Sequence, residues 1–374
     1  MRIAFLVERP TQFEAPFYRF AAADPEHELR VLFTAPDMAE PVLDPELGRK
    51  ISWGIDLLGG YPWEVCPPGD RARWLAERLR PERCDLLIVN GYTRRIYLLA
   101  AILAKRAGVA TALRLDSVLW DGSPARNLAK RLLFATWMRG MYDLFFGVGS
   151  LTIDYLRAFG VREEHMAVFS YAVDVDDFRR RSRISPQERA EMRERLGVPE
   201  DASIVLSLAK LNGREAPWDL LRAFSRLGRE DCWLILAGDG PERTTLQREA
   251  GPRVRFSGYV PYPELPVLYA AADLFVHPAR EERWGVSVQE ALACGLPVVA
   301  SSRVGAAFDL IETGSNGFTY PAGDEAELAA RIGSALDLPP ERVRTRSDEI
   351  LARWDYATTW RNLLEAASRR GRQA

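Results

Sequence analysis

Short apolar runs recur along the chain with the spacing of a buried parallel sheet. In the first half they fall at 3–7, 29–33, 85–90, 110–115 and 144–148, each bounded by polar or turn-forming residues. Runs of that length that stay apolar instead of alternating suit strands covered on both faces. Between them, stretches such as 71–79 and 95–107 repeat apolar residues with the period of a helix that buries one face. Strand and helix in alternation predict crossover connections and a doubly wound parallel sheet.

Past Tyr171 the pattern gives way to VDVDDFRRRSRISPQERAE, a charged stretch with a helix-start signal at Ser185-Pro186. The alternation then restarts, with strands predicted at 203–209, 231–237, 254–257, 274–277 and 297–300 and helices near 217–227, 264–271 and 288–294. A last amphipathic helix is predicted over 354–370. The sequence therefore predicts an α/β protein of two doubly wound, Rossmann-like domains, 1–175 and 186–350, joined by a linker. The segment 351–374 is expected to pack back towards the first domain. A length of 374 residues suits two cores of ordinary size.

Composition narrows the class. Hydrophobic residues make up 47% and charged residues 27%, and no apolar run approaches the roughly 20 residues of a membrane-spanning helix. The opening MRIAFLVERP turns charged too soon for a signal peptide and reads as a first strand, so a cytoplasmic location is expected. Cys66, Cys84, Cys232 and Cys294 lack C-x-x-C spacing, which argues against a zinc site and a disulfide framework and favours buried thiols. A net charge of −2 offers no global attraction to nucleic acid, which is not expected as a partner.

Candidate chemistry concentrates in HPAREERWGVSVQEALACGLPVVASS, residues 277–302. Gly285 precedes a helix predicted from about Ser287, and a glycine there lets the backbone approach an anion at the unpaired amides of the helix start. A diphosphate fits such a place. Glu282 on the loop and Glu290 in the helix can accept hydrogen bonds from sugar hydroxyls. A solvated acidic loop and an ordinary helical glutamate would give the same spacing.

The segment resembles the signature of the family 4 glycosyltransferases, retaining enzymes of GT-B architecture with two Rossmann-like domains facing each other across a cleft. LILAGDGPERTTLQREA (234–250), FSGYVPYPELPVLYAAADLFVHPA (256–279) and VGAAFDLIETGSNGFTYPAGD (304–324) are similar to the family's neighbouring units. ERPTQFEAPFYRFAAADPEHELRVLFT, ISWGIDLLGGYPWE, GSLTIDYLRAFGV and YAVDVDDF resemble a bacterial branch of it.

The resemblance implies transfer of a hexose from a nucleotide diphosphate sugar, UDP-sugar first, to an acceptor hydroxyl with retention and without a metal or other cofactor. Bacterial glycan, glycolipid or natural-product synthesis is the expected setting. It implies Glu290 on the ribose, Glu282 on the hexose, and the amides of Trp284, Gly285, Val286 and Ser287 along hexose and phosphate. It also puts the backbone of Gly258, Tyr259 and Val260 at the base, where a simple turn is the alternative. The family further places two basic residues, five apart, beside the leaving diphosphate. Here LSLAKLNGREAPWDLLRAF supplies Lys210, but Glu215 stands at the second position. Arg214 is the expected substitute, since its guanidinium binds phosphate in two-pronged fashion, with Glu215 turned to solvent.

In the first half, Arg9-Pro10-Thr11-Gln12 replaces the glycine-rich turn of many relatives. Thr11, Gln12, Asn90 and Arg114 lie at or just after predicted strand ends, where open α/β sheets bind ligands, and are the acceptor-side candidates. Asp116 substitutes for a histidine many relatives carry and is the polar group expected to face the acceptor hydroxyl; a helix N-cap role for Asp116 or Ser117 is the alternative. His277, before a proline, reads as a satisfied structural histidine. Asp174-Val175-Asp176 has metal-ligand spacing but falls in the predicted linker.

Residues 125–143, ARNLAKRLLFATWMRGMYD, set Arg126, Lys130 and Arg131 beside Leu132, Leu133, Phe134 and Trp137. That pattern suits peripheral contact with the inner membrane face and a lipid-linked acceptor, or a half-buried helix with a solvated arginine face. Glu215 and the missing histidine leave a second reading open, a nucleotide-sugar-binding homologue with weak or no activity. A nucleotide-sugar epimerase would need a cluster of acids with a histidine that the sequence does not reveal.

Overall fold

The apolar runs of the sequence are strands, and the two large sheets they build are parallel throughout. This computed structural model describes residues 1–35, 42–44, 49–120 and 123–371. One unit is drawn from the described residues of Met1–Ala39, Asp56–Ala172 and Trp354–Ala374, the other from those of Glu40–Ile55 and Val173–Arg353.

The first unit orders its seven strands as Trp63–Val65, Glu28–Phe33, Arg2–Val7, Leu86–Asn90, Ala110–Leu115, Leu144–Gly147 and Met166–Val168. The central strands are almost wholly buried because helices cover the sheet, which explains their unbroken apolar runs. The connection changes direction between Arg2–Val7 and Leu86–Asn90, which pair in parallel from Ile3 opposite Leu86 to Leu6 opposite Val89. Such a switch point opens a crevice beyond the strand ends. Thr11, Gln12 and Asn90 lie at its rim.

The C-terminal helix Tyr356–Gly371 belongs to this unit. Trp360 Nε1 donates to Asp24 at 2.7 Å, Asn362 donates to the Val168 carbonyl at 3.3 Å, and the Phe17 ring meets Tyr356 edge-on. Of the segment 351–374, residues 372–374 lie outside the described residues.

The second unit orders six strands as Val254–Gly258, Cys232–Ala237, Ser203–Leu208, Leu274–His277, Val298–Ser301 and Gly317–Tyr320. Its switch point lies between Ser203–Leu208 and Leu274–His277, paired through Val205–Leu274 and Leu206–Phe275. The turn after the first of these strands carries Lys210, Arg214 and Glu215, and the loop after the second carries Glu282 and Gly285.

Three strands of the two large sheets escape the sequence reading: Trp63–Val65, Met166–Val168 and Gly317–Tyr320. Each is a sheet edge of only three or four residues, so neither length nor continuous apolarity marks it. The stretch read as a linker contains a helix, Val175–Arg181, whose start is capped by Asp174 accepting from the Asp177 amide at 2.9 Å. Asp174 and Asp176 thus serve a helix terminus, and Val175 and Phe178 are buried beneath it. Cys66, Cys84 and Cys232 are buried and Cys294 partly so, all as free thiols.

Candidate functional site

The loop after Leu274–His277 is pinned along its length. The Glu282 amide donates to Arg303 O at 2.8 Å, Gly305 N to Glu282 O at 2.8 Å and Ala306 N to Trp284 O at 2.7 Å. The two backbones run so close that a Cβ on Gly305 would lie 1.9 Å from the Arg283 carbonyl. Gly285 then turns the chain with φ of +96° and caps the helix Val286–Ala293 without any side-chain bond. The helix starts one residue before the predicted Ser287, so the Val286 and Ser287 amides belong to its first turn, where a helix presents donors and positive potential. Trp284 is buried beneath the turn, while the Val286 and Ser287 side chains are half-buried.

Glu290 sits in that helix with 5% of its surface exposed. Tyr269, fully enclosed on the preceding helix Leu265–Ala271, donates its hydroxyl to Glu290 Oε2 at 2.9 Å. Burial pushes the Glu290 carboxyl up to about 7, and the Tyr269 bond draws it back only in part. One lone tyrosine cannot satisfy a carboxylate, which has about four acceptor positions.

Glu282 is a quarter exposed and accepts from the Trp284 amide at 3.3 Å, with Arg214 Nη1 3.5 Å from its other oxygen. Arg214 spans two carboxylates, since its Nη2 lies 2.6 Å from Glu215 Oε1. Glu215 does not turn to solvent, contrary to the sequence reading. It is 5% exposed, its amide bonded to Asn212 Oδ1, because the left-handed Ala216 and Pro217 bend the chain sharply into the next helix and carry the side chain inward. Arg214, itself about half exposed, covers it.

His277 is not a fully satisfied structural histidine. It is buried, Nδ1 lies 3.3 Å from Ser287 Oγ, and Nε2 has no hydrogen-bond partner but faces Glu215 Oε2 at 4.0 Å. Burial, helped by the Arg214 charge, lowers its pKa to about 4, so the ring is neutral near pH 7. Next to this group, buried Asp219 holds Arg280 by two bonds of 3.0 and 2.9 Å and anchors the loop from the far side.

Lys210 lies half-buried in the turn after Ser203–Leu208. Gly258, with φ of +75°, closes its strand, and its carbonyl accepts from the Gly238 amide at 2.8 Å. Tyr259 donates its hydroxyl to the Ser52 carbonyl at 2.8 Å, which ties 49–55 to this unit, and Val260 follows half-buried.

In the first unit three of the four acceptor-side candidates meet around a residue the sequence did not single out, Glu14. Arg114 Nη1 lies 2.8 Å from Glu14 Oε1, the Asn90 amide donates to the same oxygen at 3.3 Å, and the Thr11 hydroxyl to Oε2 at 3.3 Å. Gln12 is half-buried on the neighbouring turn. Asp116 is half-buried just past Ala110–Leu115, and the next helix begins only at Pro124, so neither Asp116 nor Ser117 is its N-cap. The missed residues, Glu14, Tyr269 and the inward Glu215, carry no motif of their own. An acid inside the apolar helical pattern of 14–22 was the one readable signal.

Two parallel-sheet units of this kind form the two-domain GT-B fold, and residues 188–349 match the family model of glycosyl transferases group 1. Among curated proteins, the chain is 34% identical to a GDP-mannose-dependent alpha-mannosyltransferase of Corynebacterium glutamicum over 48% of its own length and 40% of that protein's. It is also 34% identical to a GDP-mannose-dependent alpha-(1-6)-phosphatidylinositol monomannoside mannosyltransferase of Mycolicibacterium smegmatis, over 50% of this chain and 54% of the relative. The chain thus spans about half the length of the curated relatives it matches. Among solved structures, HepE of Anabaena in complex with UDP superposes with a TM-score of 0.76 at 21% identity, over 98% of this chain and all of the other, and shares the fold. Among the described residues no helix is long and apolar enough to cross a membrane.

Proposed function

We propose that the protein is a glycosyltransferase that takes a hexose from a nucleotide diphosphate sugar and joins it to an acceptor hydroxyl with retention. The observation that carries the reading is the buried Glu290 carboxyl, one residue past the first turn of a helix whose N-terminus is opened by left-handed Gly285. A buried carboxyl with spare acceptor capacity is suited to a diol such as a ribose, and amides at a helix start are suited to a diphosphate. Glu282 is the polar group for the hexose, with Trp284, Gly285, Val286 and Ser287 along hexose and phosphate and Gly258 to Val260 at the base. The family match over 188–349 supports this reading.

Lys210 and Arg214 are the cations available to the departing diphosphate, and Thr11, Gln12, Asn90 and Asp116 are the acceptor-side groups. Arg114 is the weaker acceptor candidate, because its guanidinium is taken up by Glu14 and the Phe169 and Ser170 carbonyls. UDP-hexose is the donor inferred from the resemblance, whereas the names of two relatives carry GDP-mannose. Thermal stabilisation by UDP, GDP and ADP decides among the bases, since a ligand that binds only the folded state raises its stability.

The acceptor is proposed to reach the protein at a lipid surface. Leu128, Leu132 and Trp137 are exposed by 60%, 59% and 38%, amid exposed Arg131 and Arg139, along the helix Pro124–Leu133 and the π-helical turn Phe134–Met138. Apolar side chains flanked by arginines suit an anionic bilayer. The Arg126 side chain lies outside the described residues, and Phe134 is buried.

The test is transfer and donor hydrolysis by Glu282→Ala and Glu290→Ala. Both are expected to fall by more than about tenfold, the loss of one well-placed polar contact or more. Unchanged rates in both variants sink the assignment.

A further inference from the structure

The switch-point cluster holds more than a donor subsite needs. Glu215, His277 and Glu282 each bring one ligand atom, and these three atoms lie within 4.8 Å of one another. The imidazole supplies an independent sign: its Nε2 has no hydrogen-bond partner, its side chain is 5% exposed, and it faces Glu215 Oε2 at 4.0 Å. A buried ring nitrogen aimed at a carboxylate without bonding to it is a costly arrangement unless something else completes it. Ser287 Oγ, 3.3 Å from Nδ1, is placed to accept a hydrogen bond from Nδ1–H, the tautomer that leaves Nε2 with the ligating lone pair.

We propose that Glu215, His277 and Glu282 bind one divalent transition-metal cation, in the place where Arg214 now bridges the two carboxylates. Two carboxylates and one imidazole, with further positions open to water or phosphate oxygen, suit Mn²⁺ or Zn²⁺. Arg214 bridges the two carboxylates from an exposed turn, so it can leave the cluster when a stronger cation arrives. The ion would restore the positive charge that Glu215 removes beside the donor diphosphate. This last consequence rests on the nucleotide-sugar reading, whereas the binding site itself does not. The inference departs from the metal-free chemistry that the sequence resemblance implied.

The experiment titrates the full chain, freed of metal with a chelator, with Mn²⁺ followed by the paramagnetic signal of the free ion, and with Zn²⁺ by calorimetry. One saturable site is expected. Glu215→Gln and Glu282→Gln should each weaken it by more than about tenfold, and Glu312→Gln, a carboxyl outside the cluster, should leave it unchanged. Arg214→Ala should tighten binding, an outcome that a misfolded variant cannot imitate. Absence of a one-to-one site for both ions, or equal affinity in Glu215→Gln, overturns the proposal.

UDP and GDP titrations with the ion and with excess chelator separate the two readings. Nucleotide affinity should fall at least about tenfold in chelator. Equal affinity with and without the ion removes its role at the diphosphate and leaves the transferase reading standing. Ion binding with no nucleotide binding in either condition keeps the site and refutes the transferase reading.

Discussion

Arg114 and Glu14, 100 positions apart, meet at 2.8 Å in the interior of the first unit, with side chains 4% and 9% exposed. The guanidinium also donates to the Ser170 carbonyl at 2.8 Å and lies 4.3 Å from the ring centres of both Phe169 and Tyr171. The pair locks the first helix, the strand Ala110–Leu115 and the chain at 169–171 together beneath the Thr11 and Asn90 rim.

Removing one partner leaves a buried charge uncompensated. Arg114→Met is expected to destabilise the protein by about 3–5 kcal/mol, and the double variant Arg114→Met with Glu14→Gln to recover part of that loss. Urea unfolding followed by tryptophan fluorescence measures both; equal loss in single and double variants would falsify a charge-based cause.

Glu290 gives a pH dependence of known sign. Its carboxyl ionises near 4.5 in an unfolded chain and near 7 in the fold, so the folded state holds the extra proton between those values. Stability contributed by this group is therefore highest below pH 4.5, declines through the window and stays low above pH 7. Glu290→Gln should raise the melting temperature relative to the native chain at pH 8, by the equivalent of at most roughly 3 kcal/mol, and give no advantage near pH 4.5. A constant difference across that range would contradict the assignment.

Gly285→Ala tests the turn that opens the helix. A Cβ there would meet Val304 Cγ1 at 2.9 Å, and φ of +96° is unfavourable for alanine. A loss of about 1–3 kcal/mol is expected, together with weaker nucleotide binding measured by calorimetry. Undiminished nucleotide affinity in a folded variant would detach the turn from donor binding.

Leu128→Glu with Leu132→Glu tests the lipid surface. Both positions are already solvent-exposed, so melting should shift little, while sedimentation with phosphatidylglycerol vesicles should drop severalfold. Neutral phosphatidylcholine vesicles should retain little of either protein. Retention unaffected by the two glutamates would rule this face out.

Sequence alone determined the strands at both sheet centres, because a strand covered on two faces is built mainly of apolar residues, and 86–89 and 204–206 announce that without reference to anything else. It also marked Gly285 with Glu282 and Glu290, since a glycine before a helix and acids near it are local chemistry. What only the tertiary structure decided is how side chains from distant turns meet. The inward rotation of Glu215 depends on a left-handed Ala216 and brings it to His277 at the end of another strand, and the Glu14–Arg114 pair depends on strand order. Burial of a charge is settled by what surrounds it in space, and one chain position carries no record of neighbours that are remote along the chain.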